Sequence, residues 1–172
     1  MPFYLRVINK NRWYRSSPPS WLPENEIPAQ CLADVVPKPE ESLSLWRIDD
    51  DRSNLNRVTA AIAAARRNLD KLDYALFPIA IIDLLGLSVA QSPGKTPDNV
   101  ANTTWHWEII ELTASKAALL AKEIYSSAEI TRKLPMDVRT LIQEGIRLTH
   151  LTKAKLHADL LAELNSTHPG AL

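Results

Sequence analysis

Residues 55–78 read LNRVTAAIAAARRNLDKLDYALFP, and the class of the fold turns on how they are read. Their apolar positions Leu55, Val58, Ile62, Ala65, Leu69, Leu72 and Leu76 alternate between spacings of three and four. That rhythm is a single seam along one face of an α-helix. Ala60, Ala61, Ala63 and Ala64 add helix propensity. Just upstream, Asp49, Asp50, Asp51 and Ser53 are N-cap candidates and bring negative charge to the positive end of the helix dipole. Pro78 should end or kink the helix, since its ring lacks an N–H and clashes with the preceding turn. The stretch therefore predicts one long amphipathic helix, followed by a short apolar helix over residues 79–87.

Downstream, Gln91-Ser92-Pro93-Gly94-Lys95-Thr96-Pro97-Asp98 is rich in turn formers and reads as a loop. Residues 99–125 then read as a third helix. At 100° steps, Trp105, Ile109, Leu112 and Leu119 fall on one side, and Trp107, Ile110, Ala114, Ala117, Ala121 and Ile124 on another. Apolar over most of its circumference, such a helix belongs at the centre of a bundle or under a second subunit. Pro135 opens a last helix over residues 136–164, with Val138, Ile142, Ile146, Thr149, Leu156, Leu160 and Leu164 as its seam. Residues 166–172 are expected to be a flexible tail.

Upstream of residue 52 the composition changes. Seven of the 12 prolines precede residue 40, which forbids long helices there. Tyr4-Leu5-Arg6-Val7-Ile8 and Ser42-Leu43-Ser44-Leu45-Trp46-Arg47-Ile48 look extended, and their pairing would make a small antiparallel ribbon. The expected fold is thus mainly α. It is a bundle of about four helices (53–165) carrying an irregular, Pro-rich N-terminal arm (1–52), one domain overall.

Composition narrows the function classes. A chain of 172 residues with 20 Lys plus Arg against 20 Asp plus Glu has no formal net charge, which speaks against a general polyanion-binding surface. One cysteine, Cys31, excludes an internal disulfide framework and a multi-cysteine zinc site. The most apolar run, residues 74–90, is interrupted by Pro78 and Asp83, so no membrane partner is expected. The amino terminus lacks the pattern of a signal peptide, and a cytoplasmic location is the expectation.

Few motifs survive inspection. Gly94-Lys95-Thr96 resembles the end of a phosphate-binding loop, but position 89 is Val where a Gly is needed, so a simple turn is preferred. Asp49-Asp50-Asp51 is read as capping rather than a metal site. His150 and His157 are seven apart, not the four that zinc ligation from one helix usually uses. No metal and no cofactor is called. The pair that stands out is His106 with Asp83: each lies among aliphatic residues, and a buried imidazole or carboxylate needs a partner. Asn102, one turn before His106, is a further candidate partner. A register-fixing polar contact is preferred to catalysis for this group.

Three functions compete. The leading one is a non-enzymatic protein–protein interaction or accessory module that associates with itself as a homodimer or with another protein, motivated by the surplus of apolar helix faces. The second is a small hydrolase-like enzyme using His106 and Asp83, with Arg47 or Arg52 steering an anionic ligand. The third is nucleic-acid binding through the basic aromatic segment Arg6, Lys10, Arg12, Trp13, Tyr14 and Arg15. Net neutrality disfavours it; a β arm whose rings cover the bundle is the preferred reading of that segment.

Overall fold

The computed structural model describes residues 1–13, 20–37 and 42–166. Its centre is a six-stranded sheet built from β1 (Phe3–Val7), β2 (Leu43–Ile48), β3 (Leu72–Pro78), β4 (Ser88–Gln91), β5 (His106–Ile110) and β6 (Glu129–Lys133). The strands lie in the order β4-β5-β2-β1-β3-β6, and every pairing is antiparallel. The expectation of a mainly helical bundle with a small ribbon is therefore incorrect. The two extended N-terminal segments do pair, Leu5 opposite Trp46 and Phe3 opposite Ile48, but they occupy the middle of the sheet.

Helices pack on both faces. One face is covered by α1 (Leu55–Ala64), α4 (Pro135–Arg147) and α5 (Ala158–Asn165). Its core holds Leu5, Trp46, Ile48, Leu72 and Leu76 from strands against Val58, Ile142 and Leu160 from helices. The opposite face is covered by the short α2 (Ala80–Leu84), by α3 (Ala114–Ser127) and by a 3-10 segment, Ala29–Asp34. There Tyr4, Leu43, Leu45 and Phe77 meet Ile82, Leu120, Ile124 and Cys31. Among the described residues no helix is long and apolar enough to cross a membrane.

The long helix over residues 55–78 fails at its middle. α1 stops at Ala64, with the Ala65 N–H still bonded back to Ala61. The chain then turns under tertiary control. Arg66 donates to the Lys71 carbonyl at 2.6 Å, and the Leu69 N–H donates to the Glu163 carboxylate at 2.6 Å. Leu72 and Leu76 reappear on a strand. A spacing of four is also a multiple of two, so it serves one face of a strand as well as a helix. Because β3 is buried on both faces, it has no polar alternation to betray it.

The third helix is likewise three pieces. A π-helical turn, Ala101–Trp105, leads into β5, and only after Glu111 (φ 56°) does α3 begin. Thr113 caps it, its hydroxyl accepting from the Lys116 N–H at 3.3 Å. The unusual apolar circumference came from superposing a strand and a helix on one wheel. The last helix breaks at Thr149 (φ 60°) between α4 and α5.

Candidate functional site

β2 and β5 are neighbours, and their register sets Trp46 opposite His106 and Ser44 opposite Glu108. Alternate residues of a strand share a face, so these four side chains stand together on the α1–α4 side of the sheet. His106 is only 5% exposed, and its ring meets that of Trp46 edge-on with centroids 4.7 Å apart. Its Nδ1 lies 2.9 Å from the Ser92 carbonyl oxygen. A carbonyl can only accept, so Nδ1 carries the proton, and in the neutral ring the lone pair is on Nε2.

The loop after β4 forms the lid of this corner. Gly94 sits where a Cβ would come within 2.8 Å of Asn102 Oδ1, 2.9 Å of the Trp46 ring and 3.2 Å of His106 Cγ, so only glycine lets the backbone pass so close. Asn102 clamps the loop. Its Oδ1 accepts from the Thr96 N–H (2.9 Å) and the Thr96 hydroxyl (2.7 Å), and its Nδ2 donates to the Thr96 carbonyl (2.8 Å). Asp98, 1% exposed, secures the far end. It accepts two hydrogen bonds from Arg57 (2.6 and 3.0 Å) and one each from the Val100 and Ala101 N–H groups. Burial pushes the Asp98 carboxyl up, but the Arg57 and backbone hydrogen bonds outweigh it and hold it below the ordinary value.

Between sheet, loop and the end of α1 lies a solvent-open cleft of about 420 Å³, within the range of small-molecule sites. Trp46, Ile62, Ala65 and Pro93 give it apolar wall. Ser42, Ser44, Lys95, Thr96, His106 and Glu108 supply the polar groups. Among the described residues no group of His, Cys, Asp and Glu could hold a metal ion.

Of the residues expected to form a site, His106 and Asn102 meet here, Asn102 as support for the loop. Asp83 does not. It lies exposed on α2, on the other side of the sheet, so the His106–Asp83 pair is corrected to His106 with the Ser92 carbonyl. Arg47 is exposed and faces that same far side, opposite Tyr4 in register. Arg52 pairs with Glu129 at 2.8 Å and lies over the Phe3 ring. That places it over the β1–β3–β6 side of the sheet, and it does not line the cleft along β2 and β5. Neither arginine reaches the cleft.

The basic N-terminal segment is built into the fold. Arg6 donates to the Asp34 and Ser44 carbonyls (2.8 and 2.9 Å), and burial pushes its guanidinium down to about 10 against the opposing pull of Asp34. Arg12 and the buried Trp13 indole both donate to the Asp34 carboxylate at 2.7 Å. Lys10 is exposed, with its backbone N–H on Asp73. Tyr14 and Arg15 lie outside the described residues. Among the described residues, then, Lys10 is exposed without an ion partner, while Arg12, 38% exposed, is held by Asp34.

Other expectations are settled locally. The N-cap of α1 is Asn54, so the Asp49–Asp51 run does not cap it; Asp51 closes a turn onto the Ser53 N–H at 2.9 Å. His150 and His157 do not share a helix, and His157 caps α5 by accepting from the Asp159 N–H at 3.2 Å. Cys31 is a buried structural thiol: it donates to the Arg12 carbonyl at 2.9 Å, and burial, with Asp34 behind it, pushes it up to about 11. Missed in the sequence were Ser44, Trp46, Gly94, Lys95 and Glu108 as cleft residues. The i, i+2 relation of His106 and Glu108 carries meaning only on a strand.

No protein-family model, curated protein or solved structure matches the chain.

Proposed function

We propose that this protein binds a small polar molecule in the cleft along β2 and β5, with His106 Nε2 taking a hydrogen bond or a proton from it. The observation that carries the reading is how the His106 ring is held. The Ser92 carbonyl occupies Nδ1 at 2.9 Å, and no described residue occupies Nε2 at the wall of a 420 Å³ cleft. A buried imidazole with one nitrogen committed to the backbone and the other free is a pre-oriented acceptor or general base. Glu108 and Ser44 beside it add further hydrogen-bonding capacity.

The test uses the ring ¹⁵N signals of the histidines. The neutral His106 ring should show the Nδ1–H tautomer, and a screen of small hydroxylated and charged compounds should shift its Nε2 while leaving the Trp13 indole signal in place. His106→Asn keeps a donor for the Ser92 carbonyl and deletes Nε2. It should abolish those shifts at a cost in stability of about 1 kcal/mol. A screen in which no compound moves His106 rejects the reading.

A second reading is self-association, and one observation favours it. Met1, Pro78, Ala80, Ile81 and Leu84, with Glu123 and Ser127 at the side, line a largely apolar groove of about 490 Å³, where Leu84 is 73% exposed. Exposed apolar patches of this kind commonly mark contacts between chains. The surplus of apolar helix faces no longer supports that reading, since those residues are shared between the two covered faces of the sheet. Size-exclusion chromatography with light scattering should give a dimer for the natural chain and a monomer for Leu84→Glu. A natural chain that is monomeric at high concentration removes the idea.

A further inference from the structure

The His106 cleft adjoins a second recess, and the two share Ala65, Lys95 and Thr96 as a common wall. Their polar linings differ in kind. The first offers acceptors, the Glu108 carboxylate and His106 Nε2, together with the Ser42 and Ser44 hydroxyls and the Trp46 ring. The second, about 290 Å³, is lined by Lys95, Lys155 and His157 and contains no acidic residue. Lys95 has no acidic partner among the described residues. Lys155 donates only to the neutral Asn99 Oδ1, at 2.8 Å. The Asp159 carboxylate, with one oxygen 3.7 Å from His157 Nδ1, is already taken by Arg67 at 2.6 Å. The C-terminal end of α1 brings partial negative charge to this wall. Its Ala61 and Ala63 carbonyls, however, are capped by the Ala65 and Arg66 N–H groups.

Resting on the reading of the cleft given above, we infer that the ligand is bipolar: a hydroxyl-rich body in the His106 recess and a phosphate over Lys95 and Lys155. A polyol donates hydrogen bonds to Glu108 and to Nε2, and its C–H face suits the Trp46 ring. Two uncompensated lysines from separate loops suit a dianion better than a single carboxylate, because a phosphomonoester carries about −1.5 to −2 charge at pH 7. An anion placed in the first recess would face Glu108, so the charge asymmetry fixes the orientation. The ligand class is a sugar phosphate.

Three sets of probes separate the parts: glucose 6-phosphate and ribose 5-phosphate, the parent sugars, and inorganic phosphate, each titrated while following the ring signals of His106 and His157. The sugar phosphates should move both histidines and bind more tightly than either fragment, and their affinity should fall with added salt. Lys155→Ala, which touches only the second recess, should weaken sugar phosphates about tenfold and leave both the parent sugars and thermal unfolding unchanged, and Lys95→Ala, on the shared wall, should weaken sugar phosphates at least as much. If the parent sugars shift His106 and the phosphate adds nothing, the inference falls while the reading of the cleft stands. Inorganic phosphate shifting His157 as strongly as the sugar phosphates, with His106 still, also overturns it. If His106 is moved by these probes in no case but by other compounds, the ligand class is wrong; if nothing moves it, both fall.

Discussion

On the α2–α3 face, Asp34 gathers the Asn9 N–H, the Arg12 guanidinium and the Trp13 indole. On the α1–α4 face, Asp98 gathers Arg57 and the N–H groups of Val100 and Ala101. Each carboxylate ties an irregular segment down, Asp34 to the stretch that follows β1 and Asp98 to α1. Around Asp34 the tie lies beneath packed side chains, with Cys31, Trp13 and Val35 all buried. Around Asp98 it holds a loop that passes over His106 without filling the corner beneath, and a cleft remains. The same chemistry thus closes one face and shapes an opening on the other. What decides is the residues at the sheet: Leu43 and Leu45 on one side of β2, Ser44 and Trp46 on the other.

Removing the ties should separate the two roles. The largest effect is expected at Asp34→Ala, which strands three donors at once: a loss of about 4 kcal/mol in urea unfolding, with binding in the cleft unchanged once the fold is populated. Asp98→Asn should cost less, about 2 kcal/mol, because the amide keeps the side chain's shape and an oxygen that still accepts from the Val100 and Ala101 N–H groups. Unlike the first, it should loosen the loop and weaken binding. Since the Asp98 carboxyl is held below its ordinary value, its contribution is complete above about pH 4 and is lost as pH falls through the lower folded value. Stability measured from pH 6 down to pH 2 should therefore drop less for Asp98→Asn than for the natural chain. Equal slopes would show that the Arg57 pair carries no net stability. The smallest stability effect is expected at Gly94→Ala, about 1 kcal/mol, because a surface loop can shift to relieve the contact. That shift moves the lid, so binding should fall far more than stability; unchanged binding would break the assignment of the loop to the site.

How much of this was legible depended on what each side chain faces. β1 and β2 could be read because Tyr4 to Ile8 and Leu43 to Ile48 are rich in β-forming residues and lie in a segment whose prolines exclude helix. The turn at Gly94 could be read from Pro93 and Pro97 on either side of it. β3 could not, because both of its faces are covered and its apolar run has no period of its own. β5 was hidden by its neighbours: Trp105 and Leu112 extend a helical pattern across it, and nothing local marks Glu111 as a break until its positive φ is seen. His106 drew attention as a polar residue among apolar ones, which was sound. Its partner could not be inferred, because a backbone carbonyl brought in by a loop leaves no mark in composition.

Taken alone, the amino-acid sequence determined the turn around Gly94, the helical character of residues 55–64 and 135–147, and the need of His106 for a partner. These follow from local preference and from the cost of burying a polar ring. Only the tertiary structure decided that the centre is a sheet, that Asp83 and His106 stand on opposite sides of it, and that a cleft lies over β2 and β5. Strand pairing joins residues far apart in the chain, and which face each side chain takes is set by that pairing and by what packs over it.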